Sequence, residues 1–170
     1  HPGEDEVVLK AHKKIGGVLL IAPRHIERGR YIAGLSRSLG FSTQLRSEKS
    51  ELDKNTEVYV ADTMGEMGLW YSLSKVAYVG GSLVEKGGHN PIEAAQFGTF
   101  VLHGDNIFNA KEKYEQLTKA GLCFQVDGEK EIVEQTLRLQ KSTNKIDFSI
   151  NSLISSEFGT NEIFRIDSSS

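Results

Sequence analysis

The sequence predicts an α/β protein built on a doubly wound parallel sheet, Rossmann-like in plan. Two observations carry that prediction. Short apolar, β-branched runs alternate with segments of helical length along most of the chain. The run Val18 to Ala22 is apolar without interruption, as a strand buried on both faces of a parallel sheet must be. No internal repeat period offers a competing architecture. In sheets of this kind ligands collect beyond the carboxyl ends of the strands, so the segments that directly follow strands are where a site is sought.

The elements follow in order. Glu4, Asp5 and Glu6 suit the first turn of a helix, Val7 to Ala11 give it an apolar face, and Gly16-Gly17 stops it. Val18 to Ala22 is the first strand, ended by Pro23. Arg24 opens a helix that runs to about Leu39, with Ile26, Ile32, Ala33 and Leu35 on one face and Gly40 as its stop. Phe41 to Leu45 is a second strand, and the polar segment from Arg46 to Thr56 is a loop. Glu57 to Ala61 is a third strand and Met67 to Leu73 a short helix. Lys75 to Val79 forms a buried central strand. Asn90 caps a helix whose first residue is Pro91 and which runs to Phe97. Thr99 to Leu102 and Leu122 to Val126 are strands, while Lys111 to Ala120 and Gly128 to Lys141 are helices. Residues 1–145 are expected to form the Rossmann-like domain, and residues 146–170 a helical extension with a frayed tail. The start at His1, without Met, suggests a piece of a longer protein.

Composition narrows the function. With 38% hydrophobic and 25% charged residues the chain resembles an ordinary globular protein, and no apolar run reaches the length of a spanning helix. The net charge of −3 gives no basic surface for nucleic acid. The single Cys123 leaves no internal disulfide or cysteine-rich metal site and suits a buried position at the start of a strand. The dinucleotide glycine fingerprint, the triphosphatase phosphate loop and the serine-hydrolase elbow are all absent. His12, His25, His89 and His103 lack the spacing of a zinc site.

Four stretches that follow strands are unusual: Pro23-Arg24-His25, Asp62 to Glu66, Gly80 to Glu93, and His103 to Asn109. The fold class places all four on one rim. Arg24 is a cation at a strand end, suited to a phosphate; its plainer reading is a surface arginine. Glu66 is a hydrogen bonder at the next helix start, or merely a favourable charge on its dipole. Gly87 and Gly88 let backbone approach a neighbour or a ligand. A helix starting at Asn90 would aim N–H groups at an anion. Glu93 has two roles open to it. It can fold back on the Asn90 backbone to close a capping box, or accept from sugar hydroxyls. Lys86 reads as a solvated loop tip.

Taken as a set and in this order, these motifs resemble one family. They are His-Pro-Gly-Glu-Asp-Glu at the start, Ala-Pro-Arg-His-Ile-Glu-Arg at Ala22 to Arg28, Asp-Thr-Met-Gly-Glu-Met at Asp62 to Met67, Gly-Gly-His-Asn-Pro-Ile-Glu at Gly87 to Glu93, and Phe108-Asn109. They are similar to the 3-deoxy-D-manno-octulosonic acid (Kdo) transferases of lipopolysaccharide assembly. The resemblance implies the C-terminal half of a two-domain GT-B glycosyltransferase. It implies CMP-Kdo as donor substrate, no cofactor or metal, and inverting transfer to a lipid A precursor. Donor contacts fall on Pro23 and Arg24, on Met64, Gly65 and Glu66, and on Asn90, Pro91, Ile92 and Glu93. Gly87, Gly88, His89, His25 and Asn109 are secondary candidates. The family's catalytic base, acceptor site and membrane-associating surface belong to an N-terminal domain outside these residues. This implies a fragment that is soluble and binds CMP without transferring, from a parent at the cytoplasmic face of the bacterial inner membrane. Two rivals remain at the level of residues: the nucleotide-binding half of a UDP-sugar transferase or epimerase, and a non-catalytic doubly wound interaction module.

Overall fold

Each apolar run of the sequence becomes a short parallel strand, and the segments between them become helices or ordered loops. The computed structural model describes residues 1–49 and 51–142. The expected extension at 146–170 therefore lies outside the described residues. The chain divides into two compact units, His1–Met67 and a second from Gly68 on.

In the first unit α1 (Glu4–Ile15) leads into β1 (Leu19–Ile21). A 3-10 turn (Ile26–Arg28) precedes α2 (Gly29–Ser38), followed by β2 (Thr43–Leu45) and β3 (Val58–Val60). The strands pair in the order β1-β3-β2, all parallel, with Leu19 and Thr43 both opposite Val58. Val58, Tyr59 and Val60 are all buried, as a central parallel strand requires. Leu9 of α1 and Ile32 and Ala33 of α2 pack with Phe41, Leu45, Val58 and Val60 as one apolar cluster.

Two expectations are corrected here. The run Val18 to Ala22 was expected to be buried on both faces, but β1 is only half-buried and Val18 is exposed. Within this sheet β1 has a single partner, and full burial falls to the central β3. Arg24 and His25 were expected to open a helix but lie ahead of it. The extended backbone at His25 (φ −104°, ψ 105°) delays the first turn to Ile26, so both residues sit on the loop leaving β1.

The second unit contains most of α3 (Met67–Leu73), then β4 (Val76–Tyr78), α4 (Ile92–Gln96), β5 (Phe100–His103), α5 (Lys111–Lys119), β6 (Cys123–Gln125) and α6 (Glu129–Gln140). Its strands pair in the order β4-β5-β6, again parallel. All four residues of β5 are buried, and Cys123 is a buried free thiol whose pKa burial pushes up to about 12. The helix after Asn90 is shorter than expected, five residues against the seven from Pro91 to Phe97. β4 was expected to be a buried strand but is half-buried throughout.

Candidate functional site

Parallel pairing puts the carboxyl ends of all strands in a sheet on one edge, so each unit has its own edge at which the candidate stretches emerge.

In the first unit β1 delivers Pro23, Arg24 and His25, and β3 delivers Asp62 to Glu66. Arg24 and His25 are exposed, and the His25 ring lies 3.8 Å from the Glu27 carboxylate. Met64 is 80% exposed at the tip of the second loop. Gly65 beside it has φ +81°, and nothing lies within 4 Å of where a Cβ would be. The turn therefore favours glycine for its backbone and leaves open space on its outer side.

Glu66 is held firmly. Arg46 Nη2 donates to Oε1 at 2.7 Å and Arg46 Nε to Oε2 at 3.3 Å, a two-pronged contact. Thr63 Oγ1 donates to Oε2 as well. The Arg46 bonds first, and Thr63 second, hold this carboxyl below the usual carboxylate range. The guanidinium is shifted in the opposite direction, upwards, by the same pairing and by a hydrogen bond to Tyr59. Asp62 is also occupied, accepting from Ser47 N–H at 2.9 Å and from Ser47 Oγ at 2.5 Å. On its other side Asp62 fills the space above Gly29, where an added Cβ would come within 2.5 Å of Asp62 Cβ. Two loops of this unit and the start of α2 thus interlock at one edge.

In the second unit the loop from Gly80 to Glu93 follows β4. Its glycines approach a neighbour within the protein. A Cβ on Gly87 would fall 2.3 Å from Asn109 Nδ2 and 2.6 Å from Phe108 Cε2, and one on Gly88 would crowd Tyr114 and the Asn106 carbonyl. The loop's N–H groups turn inward: Gly88 donates to the Gly81 carbonyl at 2.8 Å and His89 to that of Gly80 at 3.1 Å. Asn109 is drawn into the same fabric, its backbone N–H donating to the Gly87 carbonyl and its Nδ2 to that of Lys86. The buried Tyr114 hydroxyl donates to the His89 carbonyl at 2.6 Å. His103 packs against Tyr114 with ring centroids 4.6 Å apart and planes tilted by 52°, donates from Nδ1 to the Gly104 carbonyl, and is kept towards its neutral form by burial.

At the start of α4 the Asn90 side chain accepts the Ile92 N–H at 3.2 Å, the bond expected of an N-cap. Pro91 and Ile92 are buried and Glu93 is exposed. The reciprocal arm of a capping box is not made: the Glu93 carboxylate carries no hydrogen bond among the described residues. Its charge adds to burial, the larger cause, in raising the Tyr71 pKa to about 12. With only five residues, α4 sums few peptide dipoles, which weakens the dipole argument for an anion at its start.

Several residues that shape these edges escaped the sequence reading. Arg46 and Ser47 directly follow β2, so the strand-end rule would have flagged them, but their polar surroundings read as plain loop. Ser82 is fully buried and ties the segment after β4 to the one after β5: it accepts from Gly104 N–H at 2.8 Å, donates to the Val79 carbonyl, and its own carbonyl accepts from Asn106 N–H. No sequence signal separates such a serine from any other loop serine.

No protein-family model matches the chain. It is 37% identical over 142 residues to a 3-deoxy-D-manno-octulosonic acid transferase of Haemophilus influenzae, covering 81% of this chain and 33% of that protein. It is 35% identical to the enzyme of the same name from Aquifex aeolicus, over 82% of this chain and 39% of the relative. The chain thus spans between a third and two fifths of the length of these relatives. Among solved structures it resembles the C-terminal CMP-Kdo binding domain of WaaA from Acinetobacter baumannii, with a TM-score of 0.79 and 27% identity over 92% of this chain and 83% of that one. The chain belongs to the 3-deoxy-D-manno-octulosonic acid transferase family, in which it corresponds to the C-terminal domain.

Proposed function

We propose that this chain is the donor-binding domain of an inverting glycosyltransferase that moves Kdo from CMP-Kdo to a lipid A precursor. The observation that carries this reading is the likeness, over 92% of the chain, to a domain described as CMP-Kdo binding. In the first unit the donor contacts are Pro23 and Arg24 with Met64, Gly65 and Glu66. In the second they are Asn90, Pro91, Ile92 and Glu93. Local geometry supports three of them. Arg24 is exposed on a strand-end loop, Gly65 leaves its outer side open, and Glu93 is exposed with a carboxylate that could accept sugar hydroxyls.

The chemistry follows from the donor. When the bond to Kdo breaks, negative charge concentrates on one departing phosphate. A guanidinium beside it lowers the energy of that charge as it develops, and so speeds the step. No cofactor enters this reading. The base that activates the acceptor, the acceptor site and the membrane contact belong to the N-terminal part of a GT-B parent at the inner membrane, so this chain alone binds CMP but does not transfer. No helix of the described residues is long and apolar enough to cross a membrane.

Titration of the chain with CMP, UMP and UDP tests the reading. CMP is expected to bind most tightly. A preference for UDP would point instead to a UDP-sugar enzyme, and the absence of any nucleotide binding to an interaction module. In an enzyme that includes this domain, Arg24→Ala is expected to slow transfer by roughly 10- to 1000-fold, the scale of one lost anion contact. An unchanged rate removes Arg24 from the site.

A further inference from the structure

We propose that Arg46 is a positioning residue for donor binding, acting through Glu66 to hold the Met64-Gly65 turn in its binding shape. The inference rests on the donor-binding reading above and deepens it. Three observations carry it.

First, the Glu66 carboxylate is already engaged. Three hydrogen bonds converge on it, from Arg46 Nη2, Arg46 Nε and Thr63 Oγ1. A carboxylate offers about four lone-pair sites, so three hold the loop and one is left to face the donor. The part of the loop that faces outward is Met64-Gly65, where Met64 is exposed and the space beside Gly65 is open.

Second, the clamp is anchored in the sheet. Arg46 N–H donates to the Val60 carbonyl at 2.9 Å, which fixes the base of its side chain to β3. Its guanidinium also bonds Tyr59, a buried residue of that central strand. A fork held at both ends transmits the position of the sheet to the loop tip. A lysine at this site could supply the charge but not the two parallel bonds.

Third, the bonds from Thr63 and Arg46 to Glu66 enclose Met64 and Gly65. Gly65 there adopts φ +81°, a backbone state that a free loop would hold only part of the time. Removing the clamp leaves the residues present but lets the turn sample other shapes. The apparent affinity then falls by the fraction of time spent in the competent shape.

The test is CMP affinity of the chain and of Arg46→Ala, Glu66→Gln, their double variant and Arg46→Lys, with amide spectra of each. Loss of one charge-assisted contact predicts a CMP dissociation constant about 10-fold higher in either single variant. The double variant is expected to be no worse than the singles, because both act through one link. Arg46→Lys is expected to fold and to show an intermediate loss, with the Met64 and Gly65 amide signals displaced. It serves as the reading if Arg46→Ala fails to fold. Wild-type affinity in Arg46→Ala, or losses that multiply in the double variant, would overturn the positioning role while leaving the donor-binding reading standing. If the wild-type chain itself binds no CMP, the donor-binding reading fails and the positioning role fails with it.

Discussion

The two strand-end loops that carry most candidate contacts are held in different ways. Asp62 to Glu66 is fixed by side chains: Arg46 and Thr63 on Glu66, and Ser47 on Asp62. Gly80 to Glu93 is fixed by neutral hydrogen bonds, most of them to its backbone carbonyls, and by contact too close for any side chain at Gly87. The first arrangement is polar and partly solvated, so charge or pH can loosen it while the core stays intact. The second buries Gly81, Ser82, Gly87 and Gly88 while its tip stays exposed, and it depends on shape, so changes at those buried positions propagate into the segments that follow β5. One loop is adjustable, and the other behaves as part of the core.

The strongest attack on that contrast is Gly104→Ala. A Cβ there would lie 2.2 Å from the Ser82 carbonyl oxygen, a backbone atom that cannot rotate away. We expect a loss of about 3 kcal/mol or more in urea unfolding, from overpacking and disruption of the Ser82 bonds. A change under about 1 kcal/mol would show that the second loop can slide like the first. Gly87→Ala comes next, at about 2 kcal/mol. It adds left-handed backbone strain (φ +81°) to contact with Asn109 and Phe108, but these are side chains and part of the clash can relax.

Tyr114→Phe is milder and more local. It removes the hydroxyl that satisfies the His89 carbonyl while leaving the ring in its buried place. The expected cost is about 1 kcal/mol by thermal or urea unfolding. An unchanged stability would mean that the His89 carbonyl finds another donor, and that the loop is less rigid than its packing implies.

How much of this was legible depends on the kind of interaction. The parallel strands and their order along the chain follow from apolar runs, and α3 begins and ends where the sequence places it. The glycines of the second loop announced a close approach. They could not say that the neighbour is Asn109 and Phe108, because that requires knowing which loop β5 delivers alongside. Arg46 and Glu66 are 20 residues apart, and no local pattern joins them. The cap at Asn90 was readable as one bond to Ile92, yet the second arm from Glu93 is absent. Local chemistry fixes what a residue can do at a helix start, and the structure shows Glu93 exposed with the box left open.

The subtlest way to separate the two loops is acid. Pairing with Arg46 lowers the Glu66 pKa in the folded chain, so the ionised form favours folding. The stabilisation is complete above the unfolded carboxylate value of about 4.5 and is lost as pH falls through the lower folded value. The buried His103 behind the second loop also has a lowered pKa, but from loss of solvation. As pH drops below about 6.5 its unfolded form takes up a proton before its folded form does, so destabilisation from that side begins earlier. On acidification, amide exchange protection near His89 and Gly104 should therefore begin to fall below about pH 6.5, and that of Met64 and Gly65 only below about pH 4.5. In Glu66→Gln the second response should vanish and the first remain. If Met64 and Gly65 instead lose protection together with His89 in the weakly acidic range, the first loop is not governed by its own ion pair, and the contrast between a polar clamp and a packed one fails.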